Sequence, residues 1–220
     1  DNSNNYGLTI QGEGSLDITA SQIGIWAENL IIENDAALDI HIDTTNLENP
    51  NAWILSGAYT NHNLTVDDSQ VNVDFTFADN DTASDTSIYG LYASNEMNID
   101  GSDINIDVDD SHDYFNYHCG IYVGYYGLTI NDSTVDIDSS DDGIWVGDGF
   151  AQITDCDIDI DANAWGMDID GDLDIDGSTV NSAGEYIGID AEGDIAITDS
   201  DVSALANLKY KPLIWYPDNS

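Results

Sequence analysis

Gly143-Ile144-Trp145-Val146, Gly166-Met167-Asp168-Ile169 and Gly188-Ile189-Asp190-Ala191 are three versions of one segment, and their spacing decides the fold. The glycines at 143, 166 and 188 stand 22 to 23 residues apart. Earlier copies are Gly24-Ile25-Trp26-Ala27, Gly90-Leu91-Tyr92-Ala93 and Gly120-Ile121-Tyr122-Val123. Two further patterns recur between them in fixed order. One is Leu-x-Ile/Val, as at Leu8-Thr9-Ile10, Leu64-Thr65-Val66, Leu128-Thr129-Ile130 and Leu173-Asp174-Ile175. The other follows an Asp/Gly-Ser step: Asp68-Ser69 before Val71-Asn72-Val73, Asp132-Ser133 before Val135-Asp136-Ile137, and Asp155-Cys156 before Ile158-Asp159-Ile160.

A period of this length fits three short strands joined by three turns. Each strand alternates, so Val, Ile and Leu point inward while Asp, Asn, Thr and Trp point out. A strand of three to five residues cannot hold a sheet alone, but copies stacked in register at ~4.8 Å build a parallel sheet over a continuous apolar core. Asp, Asn, Gly, Thr and Ile all propagate helix poorly. The expected fold is therefore all-β: a right-handed parallel β-helix, a three-strand solenoid of about eight coils. One domain spans 1–220, with coils over 1–207 and a C-terminal cap over 208–220. There Leu208-Lys209-Tyr210-Lys211-Pro212 breaks the repeat and covers the open core. No matching N-terminal cap is visible, so a preceding coil or domain is expected. Ser69, Ser102, Ser133, Cys156, Ser178 and Ser200 should form one inward ladder at a turn, their side chains satisfying backbone groups. Extra residues precede the Gly-Ile strand at Asp43–Asn51, Thr76–Ile88 and Asp109–His118, and a further extension, Ser56–Asn63, is expected to follow it. Solenoid insertions cluster on one side, often the binding side.

The 220 residues carry 44 acidic groups, of which 37 are Asp, against Lys209 and Lys211 and no arginine, for a net charge of −42. That charge repels phosphate backbones and anionic membrane surfaces, so neither nucleic acid nor a membrane is an expected partner. No apolar run approaches the ~20 residues of a membrane span, so no membrane insertion is expected. Asp1 to Asn5 is not a signal peptide, and any leader or anchor is expected outside this sequence. Cys119 and Cys156 are too few and too widely spaced for a disulfide framework or zinc site. Cys156 reads as a packed thiol within the serine row.

The outward position after Gly-Ile reads Trp26, Ile54 in the second coil, Tyr92, Tyr122, Trp145, then Asp168 and Asp190. Stacked coils turn this into an aromatic stripe that runs into carboxylates. Trp53 and Tyr117 are among the aromatics of the flanking insertions. Trp26, Trp53, Tyr92, Tyr122 and Trp145 are the candidate carbohydrate-binding residues, because flat rings suit the C–H faces of sugars. The alternative is that long loops fold over the stripe and the rings simply pack. Outward rows of acid form the second constellation: Asp136 and Asp159 with Asn72, Asn105 and Asn181, and beside them Asp74, Asp107, Asp138 and Asp161. Carboxylates one coil apart repel by about 0.9 kcal/mol even in water. Ca²⁺ between them would relieve this, which makes Asp107, Asp136, Asp138, Asp159 and Asp161 candidate metal ligands; the alternative is a solvated acidic face. Asp172-Leu173-Asp174-Ile175-Asp176-Gly177 matches the opening of an EF-hand loop, but Ala183 stands where the bidentate Glu belongs.

Asp141-Asp142-Gly143-Ile144 resembles the paired aspartates of polygalacturonase-type β-helix hydrolases, and paired carboxylates can serve as acid and base. The basic groups that would hold a uronate are missing, and without arginine a lyase-type Arg base has no candidate. His41, His62, His112 and His118 pair with no nucleophile at readable spacing. A non-catalytic protein is therefore expected.

Leu173-Asp174-Ile175-Asp176-Gly177-Ser178-Thr179-Val180, followed by Gly188-Ile189-Asp190-Ala191-Glu192-Gly193-Asp194-Ile195-Ala196-Ile197, resembles the repeat of clostridial-type surface proteins described as carbohydrate-binding, polysaccharide-lyase-like β-helices. The likeness covers nearly the whole chain. It implies a secreted or cell-surface protein, bound calcium, and binding of cellulose or an acidic plant cell-wall polysaccharide without demonstrated lysis. With the residues above, the expectation is a non-catalytic extracellular polysaccharide-binding β-helix, monomeric and calcium-binding. The alternatives are a structural stalk or adhesin segment, a salt-adapted protein whose acids only keep it hydrated, and a pectin-type hydrolase or lyase.

Overall fold

The computed structural model describes residues 7–45, 54–77, 86–108 and 117–206. The cap at 208–220, Trp53 and the middle of each early insertion lie outside the described residues. The chain winds as a right-handed parallel β-helix with three sheets and no helix among the described residues. The Leu-x-Ile sheet has eight strands, from Gly7–Gln11 to Ile195–Thr198. The Val-x-Ile sheet has eight, from Gly14–Ala20 to Asp201–Ala206, and the glycine sheet seven, from Ile23–Ala27 to Ile187–Ala191. Each strand pairs with its copy one coil away, always parallel and with equivalent repeat positions in register.

Inward positions of all three sheets stack as columns. Leu30, Leu64, Met97, Leu128 and Leu173 line one wall, Ile40, Val73, Ile106, Ile137 and Ile160 a second, and Leu91, Ile121, Ile144 and Met167 the third, all buried. At ~1.5–3 kcal/mol for each buried aliphatic side chain, these columns are the main force holding the coils together. The Val-x-Ile sheet alternates cleanly, as in Asp157–Ala162, where every second residue is buried.

The glycine sheet does not alternate strictly. Backbone pairing passes from the residue before the glycine to the residue after it, for example from Cys119↔Tyr89 to Ile121↔Leu91. A β-carbon on Gly120 would come 2.4 Å from Ile137 Cγ2 and 2.8 Å from the Gly143 oxygen, and Gly90 and Gly143 are confined in the same way. The glycine is thus required by close approach, because at this kink the glycine and Val-x-Ile sheets nearly touch.

The same column places the second coil differently from expectation. Gly57 is its glycine, since a β-carbon there would meet Val73 and the Gly90 oxygen. Ile54–Thr60 is the glycine-sheet strand, and Tyr59 pairs with Trp26 and Tyr92. Tyr59, not Ile54, occupies the outward position, and Ser56–Asn63 is strand, turn and the start of the next strand rather than an extension. The usual Ile is Ala58 here, which hid the motif. The other three insertions all leave the Val-x-Ile sheet and re-enter the glycine sheet, so their ends share one corner of three successive coils.

At the turn before the Val-x-Ile sheet the serine row is present. Ser69, Ser102, Ser133, Cys156, Ser178 and Ser200 each donate to the carbonyl two residues back. Backbone N–H groups of Ser69, Ser102, Cys156 and Ser178 donate to the hydroxyl one coil on. Preceding residues Asp68, Asp132, Asp155 and Asp199 hold φ of 45 to 54°, a left-handed conformation that Asp tolerates better than most side chains.

Candidate functional site

The outward column of the glycine sheet runs Trp26, Tyr59, Tyr92, Tyr122, Trp145, Asp168, Asp190, in register across seven coils. The structure therefore brings Trp26, Tyr92, Tyr122 and Trp145 onto one wall and adds Tyr59, which lacked the Gly-Ile signature. How the rings lie could not be read from the pattern. Tyr59 and Tyr92 stack at 4.2 Å and 5°, and Tyr92 and Tyr122 at 4.9 Å and 10°. Their faces are spent on one another along the solenoid axis, which leaves the ring edges for solvent. The two ends turn: Trp26 stands at 85° to Tyr59, and Trp145 at 86° to Tyr122. Trp26 is 69% exposed and offers an open indole face. Trp145 lies between Tyr122 and Tyr117, and its buried indole N–H has no hydrogen-bond partner among the described residues. Leaving such a donor unmet costs about 1–3 kcal/mol.

A second column lies beside the stripe, made by the residue before each glycine: Tyr89, Cys119, Asp142 and Trp165. Tyr89 packs against Tyr92 at 5.0 Å and Tyr122 at 5.3 Å, and burial pushes its phenol up to about 12. Burial also raises Tyr92 and Tyr122, so the tyrosines stay neutral. The Cys119 thiol is raised well above its usual value by burial and then by Asp142; it is a packed thiol, not a nucleophile.

Asp142 interrupts this column between Cys119 and Trp165, and Asp141 precedes it at the start of the strand. Asp142 is 5% exposed and accepts from the Trp165 backbone N–H at 3.3 Å; Asp141 accepts from that of His118 at 3.4 Å. Burial pushes Asp142 up to about 7, with the Asp141 charge adding to it, and pushes Asp141 up to about 6. Asp168 on the next coil is raised by burial and then by Asp170. The His118 ring hydrogen-bonds Ser140 through Nδ1. Burial thus brings Asp141 and Asp142 toward neutrality, and that burial was not visible in sequence.

The acidic rows are also in register: Asp39, Asn72, Asn105, Asp136, Asp159 and Asn181 form one column, and His41, Asp74, Asp107, Asp138 and Asp161 the next. The chain already relieves part of the repulsion, because Asn72 donates to Asp39 at 2.6 Å and the His41 ring pairs with Asp74. Among the described residues no three His, Cys, Asp or Glu side chains converge as a metal cage requires. Asp107, Asp136, Asp138, Asp159 and Asp161 supply carboxylates in two parallel lines, one per coil in each line. These do not fit an enclosed ion.

Compared with known protein families, characterised proteins and solved structures, the chain matches none.

Proposed function

We propose that the protein is a non-catalytic extracellular or cell-surface β-helix that binds a neutral plant-type polysaccharide, such as cellulose, as a monomer. The observation that carries this reading is the in-register aromatic column from Trp26 to Trp145, with an open indole face at one end. A pyranose is about as long as the ~4.8 Å coil step, so a glycan laid along the solenoid meets one ring per coil. The Tyr edges bring phenol hydroxyls to its hydroxyls, and Trp26 can stack on a C–H face. The repeat's likeness to surface polysaccharide-binding β-helices supports polysaccharide binding as such, whether the glycan is neutral or acidic. Calcium is proposed only in a looser role, bridging pairs of aspartates on neighbouring coils with water completing its shell.

The test is retention on insoluble cellulose and cell-wall glycans with calcium or EDTA, alongside thermal melting. Retention of the wild type, weakened in Trp26→Ala, with a melting point lowered by EDTA, is the expected result. No retention on any glycan, or retention indifferent to Trp26, removes the reading; indifference to EDTA removes the calcium.

One observation favours a second reading. The central tyrosines spend their faces on each other, as a structural stalk or adhesin segment would require. Such a protein would melt normally and hold no glycan. A pectin-type enzyme working through Asp141 and Asp142 would release reducing ends or unsaturated products.

A further inference from the structure

On the opposite edge of the glycine sheet, where each coil turns into the Leu-x-Ile sheet, an open groove of about 480 Å³ is lined by Asn95, Tyr125, Tyr126 and Asp148. These residues come from three successive coils. Tyr125 is 55% exposed and Tyr126 70% exposed, an unusual pair of bare rings side by side in sequence.

The backbone that presents them is strained. Tyr126 has φ of 57°, a left-handed conformation that a bulky side chain rarely adopts, and the Gly127 N–H reaches back to the Tyr125 carbonyl at 2.6 Å. The coils below make room for the kink. A β-carbon on Gly149 would come 2.7 Å from the Tyr126 carbonyl carbon, and one on Gly171 would come 1.9 Å from the Gly149 oxygen. Strain of this kind persists where the surrounding structure enforces it, and it concentrates at binding sites. Nothing in the coil needs tyrosine at that φ, because a glycine would take the same turn without strain.

The groove also meets the stripe. The Tyr122 hydroxyl lies 3.4 Å from the position a β-carbon on Gly147 would occupy, beside Asp148. We infer that this corner groove is a saccharide subsite continuous with the aromatic stripe, taking a neutral sugar unit between the Tyr125 and Tyr126 rings with Asn95 and Asp148 hydrogen-bonding its hydroxyls. The inference rests on the proposed glycan reading and narrows the ligand to an uncharged glycan. A uronate carboxylate would face Asp148 with no Lys or Arg among the described residues to pair with it, in a chain whose net charge is −42.

The experiment is titration calorimetry of the full chain with cellohexaose and with polygalacturonate, repeated on Tyr126→Gly, Tyr125→Ala and Trp26→Ala. Tyr126→Gly removes the ring and the strain together. It should weaken cellohexaose about tenfold or more, equivalent to ~1.4 kcal/mol, while its melting point holds or rises. Polygalacturonate should not bind. If Trp26→Ala loses binding while Tyr126→Gly and Tyr125→Ala keep wild-type affinity, the subsite is wrong and the stripe stands. Tighter binding of polygalacturonate than of cellohexaose overturns the charge argument. Binding of neither by the wild type overturns the subsite together with the reading beneath it.

Discussion

Replacing Asp142 with Asn should stabilise the protein, and by an amount that grows with pH. Asp142 is 5% exposed, and in the folded chain its carboxyl gives up its proton only near about 7, against 3.8 for an ordinary Asp. Burial is the main cause, the Asp141 charge the second, and the hydrogen bond from Trp165 N–H works weakly the other way. Between pH ~4 and ~7 the folded chain keeps a proton that the unfolded chain has released, so stability falls as pH rises through that window and stays low above it. Each tenfold change in proton affinity is worth about 1.4 kcal/mol, so the ionised group costs at most about 4 kcal/mol at pH 8. Relaxation and water entry reduce this to about 2–4 kcal/mol. Asn keeps an oxygen for the 3.3 Å bond from Trp165 and brings no charge. Urea unfolding of wild type and Asp142→Asn at pH 5 and pH 8, in salt to screen the other carboxylates, isolates the term. The variant's advantage should widen by about 2 kcal/mol from pH 5 to pH 8, with equal m-values. An advantage independent of pH, or a variant weaker at pH 8, would mean that Asp142 is ionised and well partnered in the fold, and the reasoning fails.

Gly120→Ala should destabilise by about 1–3 kcal/mol or more in denaturant, because its methyl would overlap Ile137 and the Gly143 carbonyl with rigid sheet on both sides. Ser133→Ala should cost about 1–3 kcal/mol, since the buried Ser102 N–H loses its 3.0 Å acceptor, whereas Cys156→Ser should change the melting point little because its neighbours in the row already carry hydroxyls.

Repeat periodicity made the architecture legible, since a 22- to 23-residue spacing with three alternating patterns admits few packings other than stacked coils. Register followed from it, and so did the aromatic, acidic and serine columns. The second coil hides its motif because Ala58 stands where other coils carry Ile, Leu or Met, whereas the demand common to the coils is steric and falls on Gly57. Side-chain attitude was beyond the pattern. Register aligns Tyr59, Tyr92 and Tyr122, but whether they meet face to face or face solvent depends on rotamers set by neighbours such as Tyr89. The corner groove did leave a trace in sequence: Gly124-Tyr125-Tyr126-Gly127 puts two aromatics inside a glycine-flanked turn, where small or polar residues serve better.

The distribution of charge over the surface bears on where a ligand can lie. Outward positions of the Val-x-Ile sheet are mostly Asp, Asn or Thr, from Asp17 through Asp159. Its two acidic columns face water, where their repulsion is weakest. The outward column of the glycine sheet instead carries rings for five coils and turns to Asp only at Asp168 and Asp190. The strand ends from which the long insertions depart and return border this face at one corner, and the Tyr125–Tyr126 groove borders it at the other. Asp142 and Asp168, both raised by burial, stand at the border between rings and acids, so added negative charge is disfavoured there. A ligand carrying its own carboxylates would meet repulsion both at that border and at Asp148. An uncharged chain of sugars could cross from Trp26 along the tyrosine edges to the groove without needing a cation, and this is the physical ground for preferring it.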